Sequence, residues 1–391
     1  MNREKISNIG KLFYLFNFLA LFKLFNIDIR AGVVSSILIL SFLAISWRKI
    51  SFNKNNVAFY LFLFINIISL QSYLFNDVDI KLYLAGWSYN IIPSLLYIVG
   101  YMYAKENNER AFFDILKSNI IFLSIGLFLF LTKFDFYTNY QISEGVPLYH
   151  RLESYMGSLV VGSVAVLSIP LYFYSLKNMK IGNKLFYLII IILSLTLSMQ
   201  RSAWVMGGAI LVLCTVYFFK INNTLEVLLK YVIVFFTFIL ISTFILKRFV
   251  SDEFISHLIR RVDSFGGGMV SSRSNQWIEA LITSLEHPFG IGVGSAGNKA
   301  TIYGEGVVPD GNYFRILVET GFLGLLTFIL INLQALFRSI KNNPYLSFVL
   351  LGFLFQAIGS NVFDFYYSSF IYWFILGYCV NYGKKGGTQG L

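Results

Sequence analysis

Arg315 and Glu319 are the residues whose types and spacing most directly suggest chemistry. They stand four positions apart near the start of an apolar run, so a helix would carry both on one face. Charged side chains inside a membrane segment are energetically expensive and usually have a partner or a function. A structural ion pair and a functional pair therefore both stay open. Asp310 precedes this run and suits an N-terminal cap or a functional role.

Several further residues combine a charge with a suggestive position. Arg201 separates two apolar runs, where an arginine either anchors a helix end or contacts an anion. Arg273 is a solvated loop charge or a second anion contact; a helix predicted to begin near Ser272 would add free backbone amides beside it. The pair Arg260 and Arg261 gives a weaker signal, because paired basic residues are common in loops. His287 precedes Pro288 and suits a turn or a catalytic role.

A glycine pattern in the same region resembles a nucleotide-binding motif by letters alone. Gly292, Gly294 and Gly297 match G-x-G-x-x-G, but no predicted strand precedes them. We interpret them as a tight turn that lets the backbone approach another segment. Cys214 and Cys379 lie in apolar stretches, so we predict no metal, zinc framework or other cofactor.

The elements that must position these residues follow from composition. Of the 391 residues, 57% are hydrophobic and only 13% are charged. Such a chain cannot cover itself with polar surface, which excludes a cytosolic enzyme, a nucleic-acid module and a disulfide-stabilised secreted domain. We predict an all-α, polytopic integral membrane protein with about twelve transmembrane helices. The apolar runs lie near 11–27, 31–47, 57–75, 83–103, 112–132, 157–176, 184–199, 203–219, 226–246, 312–337, 346–362 and 365–382.

The distribution of basic residues predicts the orientation. With a cytoplasmic N-terminus, sixteen Lys and Arg residues fall in cytoplasmic segments and five in short outer loops. This bias predicts that both termini are cytoplasmic, and it accounts for most of the net charge of +11 without nucleic acid. Three parts follow: about nine transmembrane helices in 1–246, a large extracytoplasmic loop with short amphipathic helices in 247–311, and about three helices in 312–391. Long loops among short connections are usually functional.

Three stretches carry a resemblance to a known family. They are SMQRSAW from Ser198; the stretch from Ser272 to Gly294, with Arg273, Trp277 and a final HPFGIGVG; and DGNYFRILVETGFLG from Asp310. Their order resembles the O-antigen ligase and polymerase superfamily of membrane glycosyltransferases, over roughly 185–340. Ligases of this family usually carry histidine directly before the asparagine of the third stretch. Gly311 stands there in this chain, which favours a Wzy-type polymerase.

The resemblance implies a GT-C-like membrane glycosyltransferase that acts without metal and with inversion. An acceptor hydroxyl would attack a sugar on undecaprenyl diphosphate at the periplasmic face of the bacterial inner membrane. The implied partners are lipid-linked oligosaccharide donor and acceptor, membrane lipids and a chain-length regulator protein, with no nucleic acid. The implied proton acceptors are Asp310, Glu319 and His287, in that order. The implied substrate-binding residues are Arg201 and Arg273 as the diphosphate clamp, with Arg260, Arg261, Asn312, Tyr313 and Arg315.

Two other functions remain open at this point. One is an O-antigen ligase that transfers glycan to lipid A-core. The other, from a different class, is a lipid-linked oligosaccharide flippase or another secondary transporter. Transporters usually place polar sites near the middle of the membrane within paired half-repeats. No internal repeat of the apolar runs is evident in the sequence, and a large charged outer loop is more typical of a transferase.

Overall fold

The computed structural model describes residues 7–25, 27, 31–45, 56–69, 80–106, 109–143, 148, 151–222, 269–297 and 311–381. These residues form helices, turns and connecting segments, and none of them forms a strand. The all-α prediction is confirmed for this part of the chain. The helices are α1 (Asn8–Leu21), α2 (Ala31–Ile45), α3 (Val57–Ile68), α4 (Ile80–Gly86), α5 (Ile92–Ser94), α6 (Leu96–Lys105), α7 (Arg110–Thr132), α8 (Asp135–Ser143), α9 (Ser158–Ser175), α10 (Ile181–Leu197), α11 (Arg201–Asn222), α12 (Met269–Glu286), α13 (Asn312–Asn342), α14 (Pro344–Gln356) and α15 (Tyr366–Asn381).

Six stretches of the described residues are long and apolar enough to cross a membrane: Asn8–Phe25, Ile80–Lys105, Arg110–Thr132, Ser158–Ser175, Arg201–Lys220 and Asn312–Asn342. Three shorter apolar helices, α3, α10 and α14, accompany them. This fits a multi-pass membrane protein. The number of about twelve transmembrane helices stays a prediction, and the predicted run 226–246 lies outside the described residues.

By its internal contacts the chain divides into two compact units. Unit 1 comprises Met1–Ile29 and Arg110–Gly267, and unit 2 comprises Arg30–Glu109 and Gly268–Leu391. The predicted division at 246 and 311 concerns membrane sides rather than packing, so it stays a prediction.

Unit 1 is built around α9, which packs against α7, α10 and α11. Its helices are joined by hydrogen bonds between buried polar side chains. Asn119 Nδ2 donates to Ser168 Oγ at 3.0 Å, and Asn17 Nδ2 donates to Ser118 Oγ at 2.7 Å. Hydrogen bonds of this kind hold helices together where the hydrophobic effect between them is weak, as it is in a lipid environment.

Unit 2 contains a close helix crossing between α6 and α15. A Cβ on Gly100 would overlap the carbonyl oxygen of Phe374, and a Cβ on Gly377 would overlap that of Tyr97. Glycine on each helix thus allows the two backbones to touch. Helix α13 packs against α3, α12, α14 and α15, and this arrangement fixes its first turns inside the unit.

The start of α12 differs from the prediction. Ser271 and Ser272, expected to cap a helix that begins beside Arg273, lie inside a helix that already includes Met269. Arg273 is therefore the fifth helical residue, after the four whose amides lack a helical acceptor. Serine is tolerated within a first turn, and sequence patterns locate helix ends only to within a few residues.

Candidate active site

Helix α13 is broken at Gly321, close to its N-terminal end. Gly321 has φ 69° and ψ −171°, a conformation that glycine adopts readily and that a side chain strongly disfavours. A Cβ at this position would also overlap the carbonyl oxygen of Pro288. The break gives α13 a short first segment, Asn312–Thr320, and brings the chain that follows α12 against it.

Residues 287–297, here called the glycine loop, bond to the backbone groups that the break exposes. In an unbroken helix the Phe322 amide would donate to the Val318 carbonyl. Here Phe322 N donates to Pro288 O at 3.2 Å, and Val318 O accepts from Ile291 N at 2.9 Å. Gly292 N adds a bond to Glu319 O at 3.1 Å. Buried backbone groups require such partners, so the loop and the break stabilise one another.

The glycines of the loop permit this close approach. Gly290, Gly292, Gly294 and Gly297 all have positive φ. A Cβ on Gly294 would overlap the carbonyl oxygen of Leu82. The interpretation of these glycines as a tight turn that approaches another segment is confirmed.

Arg315 and Glu319 form the ion pair that their spacing allows. Arg315 Nε lies 3.3 Å from Glu319 Oε1, and the two side chains are only 4% and 2% exposed. Arg315 also pairs with Asp364 through Nη1 and donates from Nη2 to Asn90 Oδ1. The guanidinium is thus held from several sides inside unit 2.

Both carboxylate oxygens of Glu319 also have partners. Oε1 accepts from the Gly294 amide at 3.0 Å, and Oε2 accepts from Asn90 Nδ2 at 2.8 Å. A buried ion pair is tolerated when such hydrogen bonds satisfy the remaining polar atoms. We refer to Arg315, Glu319, Asp364 and Asn90 as the buried charge cluster. Each carboxylate oxygen of Glu319 thus has at least one hydrogen-bond partner within unit 2.

A small cavity lies beside the buried charge cluster, with Asn312, Thr320 and Ser369 among its polar lining and Phe328, Phe363 and Trp373 among its aromatic lining. Asn312 Nδ2 and Ser369 Oγ, both fully buried, have no hydrogen-bond partner among the described residues. A buried polar group without a partner usually bonds to water or to a ligand atom. The cavity therefore offers a place for a water molecule or a single hydroxyl group.

The residues that begin α13 are fixed by the end of α14 and the segment after it. Asn312 N donates to Ala357 O at 2.8 Å, and Asn312 Oδ1 accepts from Phe363 N at 3.3 Å. The Tyr313 hydroxyl donates to Leu354 O at 3.1 Å. Gly311 has φ 120°, and a Cβ there would overlap the carbonyl oxygen of Ile358. No side chain of any kind fits at position 311 without a change of backbone.

Arg201 is the first residue of α11 and is partly buried. It follows a tight turn in which Met199 has φ 54°, and the Trp204 indole nitrogen donates to Leu195 O at 2.9 Å. This bond holds the start of α11 against the end of α10. Gln200, in the same turn, is buried, and neither its Nε2 nor its Oε1 has a partner among the described residues.

The other predicted site residues are placed only in part. His287 follows α12 directly, is partly exposed, and its amide donates to Thr283 O at 2.9 Å. Arg273 lies on α12, but its side chain is not among the described ones. Asp310, Arg260 and Arg261 lie outside the described residues. Arg201 belongs to unit 1 and Arg273 to unit 2, so their convergence on one diphosphate stays a prediction.

Sequence reasoning missed two members of the buried charge cluster. Asp364 carried a usable signal, because it is an isolated carboxylate between two apolar runs, and such a charge needs a partner. Asn90 carried no such signal. It lies in a π-helical turn, Trp87–Ile91, which helical periodicity in the sequence does not predict.

Part of the chain matches a known protein family. A search of the curated proteins gives no match to the chain. A family model described as O-antigen ligase matches residues 186–329, a range that contains the start of α11, the glycine loop and the break in α13. This match supports the assignment of the chain to the O-antigen ligase and polymerase superfamily, and with it a glycosyl-transfer enzyme of the membrane.

Proposed function

We propose that the protein is a Wzy-type polymerase. It joins oligosaccharide repeat units carried on undecaprenyl diphosphate at the periplasmic face of the bacterial inner membrane. The acceptor hydroxyl forms a bond to the anomeric carbon of the donor, the bond from that carbon to the diphosphate oxygen breaks, and undecaprenyl diphosphate leaves. The hydroxyl proton passes to a base of the protein.

The backbone at Gly311 is the observation that carries the choice of polymerase over ligase. The histidine expected in ligases would occupy this position, where φ is 120° and a Cβ overlaps Ile358 O. A histidine there would require a different start of α13. The backbone here excludes a histidine side chain at position 311. This supports a reaction that does not use that histidine.

Electrostatics supports a division of roles among the arginines. Negative charge builds on the diphosphate as the glycosidic bond breaks, and a planar guanidinium stabilises it through paired hydrogen bonds. Arg315 is already engaged by two carboxylates and is buried, so it supports α13 rather than the substrate. Arg201 and Arg273 fill the clamp role in our proposal, with Arg260 and Arg261 as further contacts.

The choice of base follows from the same contacts. Glu319 is buried and is hydrogen-bonded within unit 2, whereas His287, the first residue of the glycine loop, is partly exposed. We therefore favour His287 or Asp310 as the proton acceptor. Asn312 positions the start of α13, and its unpartnered amide nitrogen is available to a hydroxyl or a water in the cavity.

Reconstitution tests the proposal directly. Purified protein in liposomes receives undecaprenyl-diphosphate-linked repeat units, and the lipid-linked products are separated by length. Products of two and more repeats support the proposal. The family description favours ligase as the second candidate, so a parallel reaction contains lipid A-core as acceptor. Glycan on lipid A-core without any lengthening of lipid-linked repeats would refute polymerisation.

Orientation and partners belong to the same proposal. Both termini are cytoplasmic, and the substrates and the chain-length regulator meet the protein on the periplasmic side. Cysteine substitutions at position 300 and in the 177–184 connection, labelled in intact and permeabilised cells, test this. Labelling of position 300 only after permeabilisation would overturn the orientation and the reaction compartment.

A further inference from the structure

Helix α12 carries a stripe of apolar side chains that the described residues of its unit leave uncovered. Ile278, Leu281, Ile282 and Leu285 are between 43% and 71% exposed. Their spacing of three and four residues aligns them along one side of the helix. We call these four residues the α12 stripe.

The rest of α12 is divided into two different sides. Ala280 packs into a small core with Ala296 and Val318, and the Trp277 ring stacks on Phe314 at 5.2 Å between centroids. Asn275, Glu279 and Glu286 are exposed and polar. One side thus faces protein, one faces water, and the α12 stripe lies on a third side that suits neither.

The α12 stripe leads onto the exposed apolar side of a candidate membrane span. Phe289, which is 73% exposed, follows the helix, and its Cα lies 2.7 Å from where a Cβ on Gly321 would be. The next residues of α13 are the exposed Phe322 and Leu323, followed one turn later by Leu326. They belong to a candidate membrane span, whose exposed apolar side chains require lipid.

We infer that α12 is an interfacial helix whose apolar stripe is inserted among the acyl chains of the bilayer. A helix with protein, water and hydrocarbon on three sides lies where these three media meet. Its described exposed charges, Glu279 and Glu286, are acidic, so hydrophobic burial rather than attraction to anionic headgroups holds it there.

This inference does not depend on the sugars that the protein joins. Its consequence is that the glycine loop and Arg273, both attached to α12, are held at the depth of the lipid headgroups. A lipid-linked diphosphate lies at that same depth.

Fluorescence quenching in nanodiscs of phosphatidylcholine tests the inference with the full chain. The buried residues Cys214 and Cys379 are first replaced by alanine. An environment-sensitive dye is then attached to the single cysteine introduced by Ile282→Cys. Glu279→Cys is the matched control on the water-facing side of the same helix. Leu330→Cys, on the exposed side of α13, is the lipid-facing reference.

Brominated phosphatidylcholine should quench the dye at position 282 nearly as well as at 330 and several-fold more than at 279. Aqueous iodide should show the reverse order, and the pattern should persist in high salt. Iodide access at 282 equal to that at 279 would overturn the inference. Protection of the dye at position 282 from both quenchers would indicate a protein partner or a second copy of the chain. Protection that appears only with added polyprenyl phosphate would indicate that the substrate chain covers the stripe. Either result would also overturn the inference.

Polymerisation by the unlabelled variants is measured separately. Normal polymerisation together with iodide access at position 282 would contradict the interfacial position of α12 and leave the proposed function intact. Lipid quenching at 282 in a protein that does not lengthen repeats would support the helix and contradict the proposed function.

Discussion

Two regions within the family match use polar side chains in opposite ways. Around the break in α13, Arg315 and Glu319 are buried, and each has several partners within unit 2. At the α10–α11 turn, Arg201 is only partly buried. The side-chain amide of the buried Gln200 has no partner among the described residues. One arginine is immobilised by carboxylates, whereas the other stands at a helix N-terminus, where anions are favoured.

The comparison shows that a charged residue within a family motif can be paired by the protein itself, as Arg315 is. A guanidinium whose charge is neutralised inside the protein has little left to offer a diphosphate. We propose that the first region is a scaffold that holds the loop and the helix together. For the second region we propose a role in substrate binding, and the predictions below separate the two roles.

The largest effect is expected from Arg315→Met. Glu319 and Asp364 would be left buried without their cation, and removal of one partner of a buried pair costs about 3–5 kcal/mol. The free energy of unfolding of the purified protein in detergent measures the loss. The combined variant Arg315→Met, Glu319→Gln, Asp364→Asn should recover part of it, because no unpaired charge remains. Unchanged stability with lost polymerisation would instead make Arg315 a substrate residue.

A smaller loss of stability is expected from Gly294→Ala. The residue has φ 96°, and the added Cβ would overlap Leu82 O. Backbone strain and overpacking cost about 1–3 kcal/mol each, so we expect a decrease of about 3 kcal/mol in the free energy of unfolding.

The matched control is Gly208→Ala in α11, where a Cβ has open space. Alanine is favoured over glycine within a helix by about 0.5–1 kcal/mol, so this variant should be slightly more stable. Equal stability of the two variants would contradict the close approach of the glycine loop to α4.

Arg201→Lys should affect the reaction and leave the fold intact. Lysine keeps the charge but lacks the planar fork, and we expect about 2 kcal/mol less transition-state stabilisation, roughly thirtyfold in rate. Single repeat units on the lipid carrier should accumulate, and Arg273→Lys should behave alike. Lys220→Arg, at the other end of α11, serves as the control. If either lysine variant makes polymer of wild-type length at matched expression, the arginine replaced in it does not belong to the diphosphate clamp.

The smallest effect is expected from chelation. Because the proposed clamp supplies the positive charge from arginines, chain extension should proceed at its normal rate in excess EDTA and without ATP. Measurement of product length with and without EDTA checks this. Loss of activity that a divalent ion restores would require a different account of the leaving diphosphate.

The apolar runs were the part of the fold most accessible from sequence. The run 112–132 corresponds to α7 (Arg110–Thr132), and 157–176 corresponds to α9 (Ser158–Ser175). Such helices are determined by local composition, because a long apolar segment has few other stable states in a membrane. The ion pair of Arg315 and Glu319 was accessible for the same reason, since it depends on helical spacing alone.

The break at Gly321 could not be predicted, because the apolar pattern continues through it and glycine is common in membrane helices. The contacts of Arg315 with Asn90 and Asp364 span 225 and 49 residues. Contacts of that range depend on how helices pack, which helical periodicity does not encode. The function of each candidate residue is harder still to predict from sequence. It depends on which of these contacts a substrate can replace.

The position of the break along α13 has a consequence for bilayer thickness. After Gly321, 21 residues of the helix remain (342 minus 321), and at about 1.5 Å per residue they extend about 32 Å. That length matches a hydrocarbon core of about 30 Å. If these residues span the bilayer, the first segment of α13 lies beyond the hydrocarbon core. A thicker host membrane would draw this segment and the glycine loop toward the acyl chains, and the helix would tilt less to compensate.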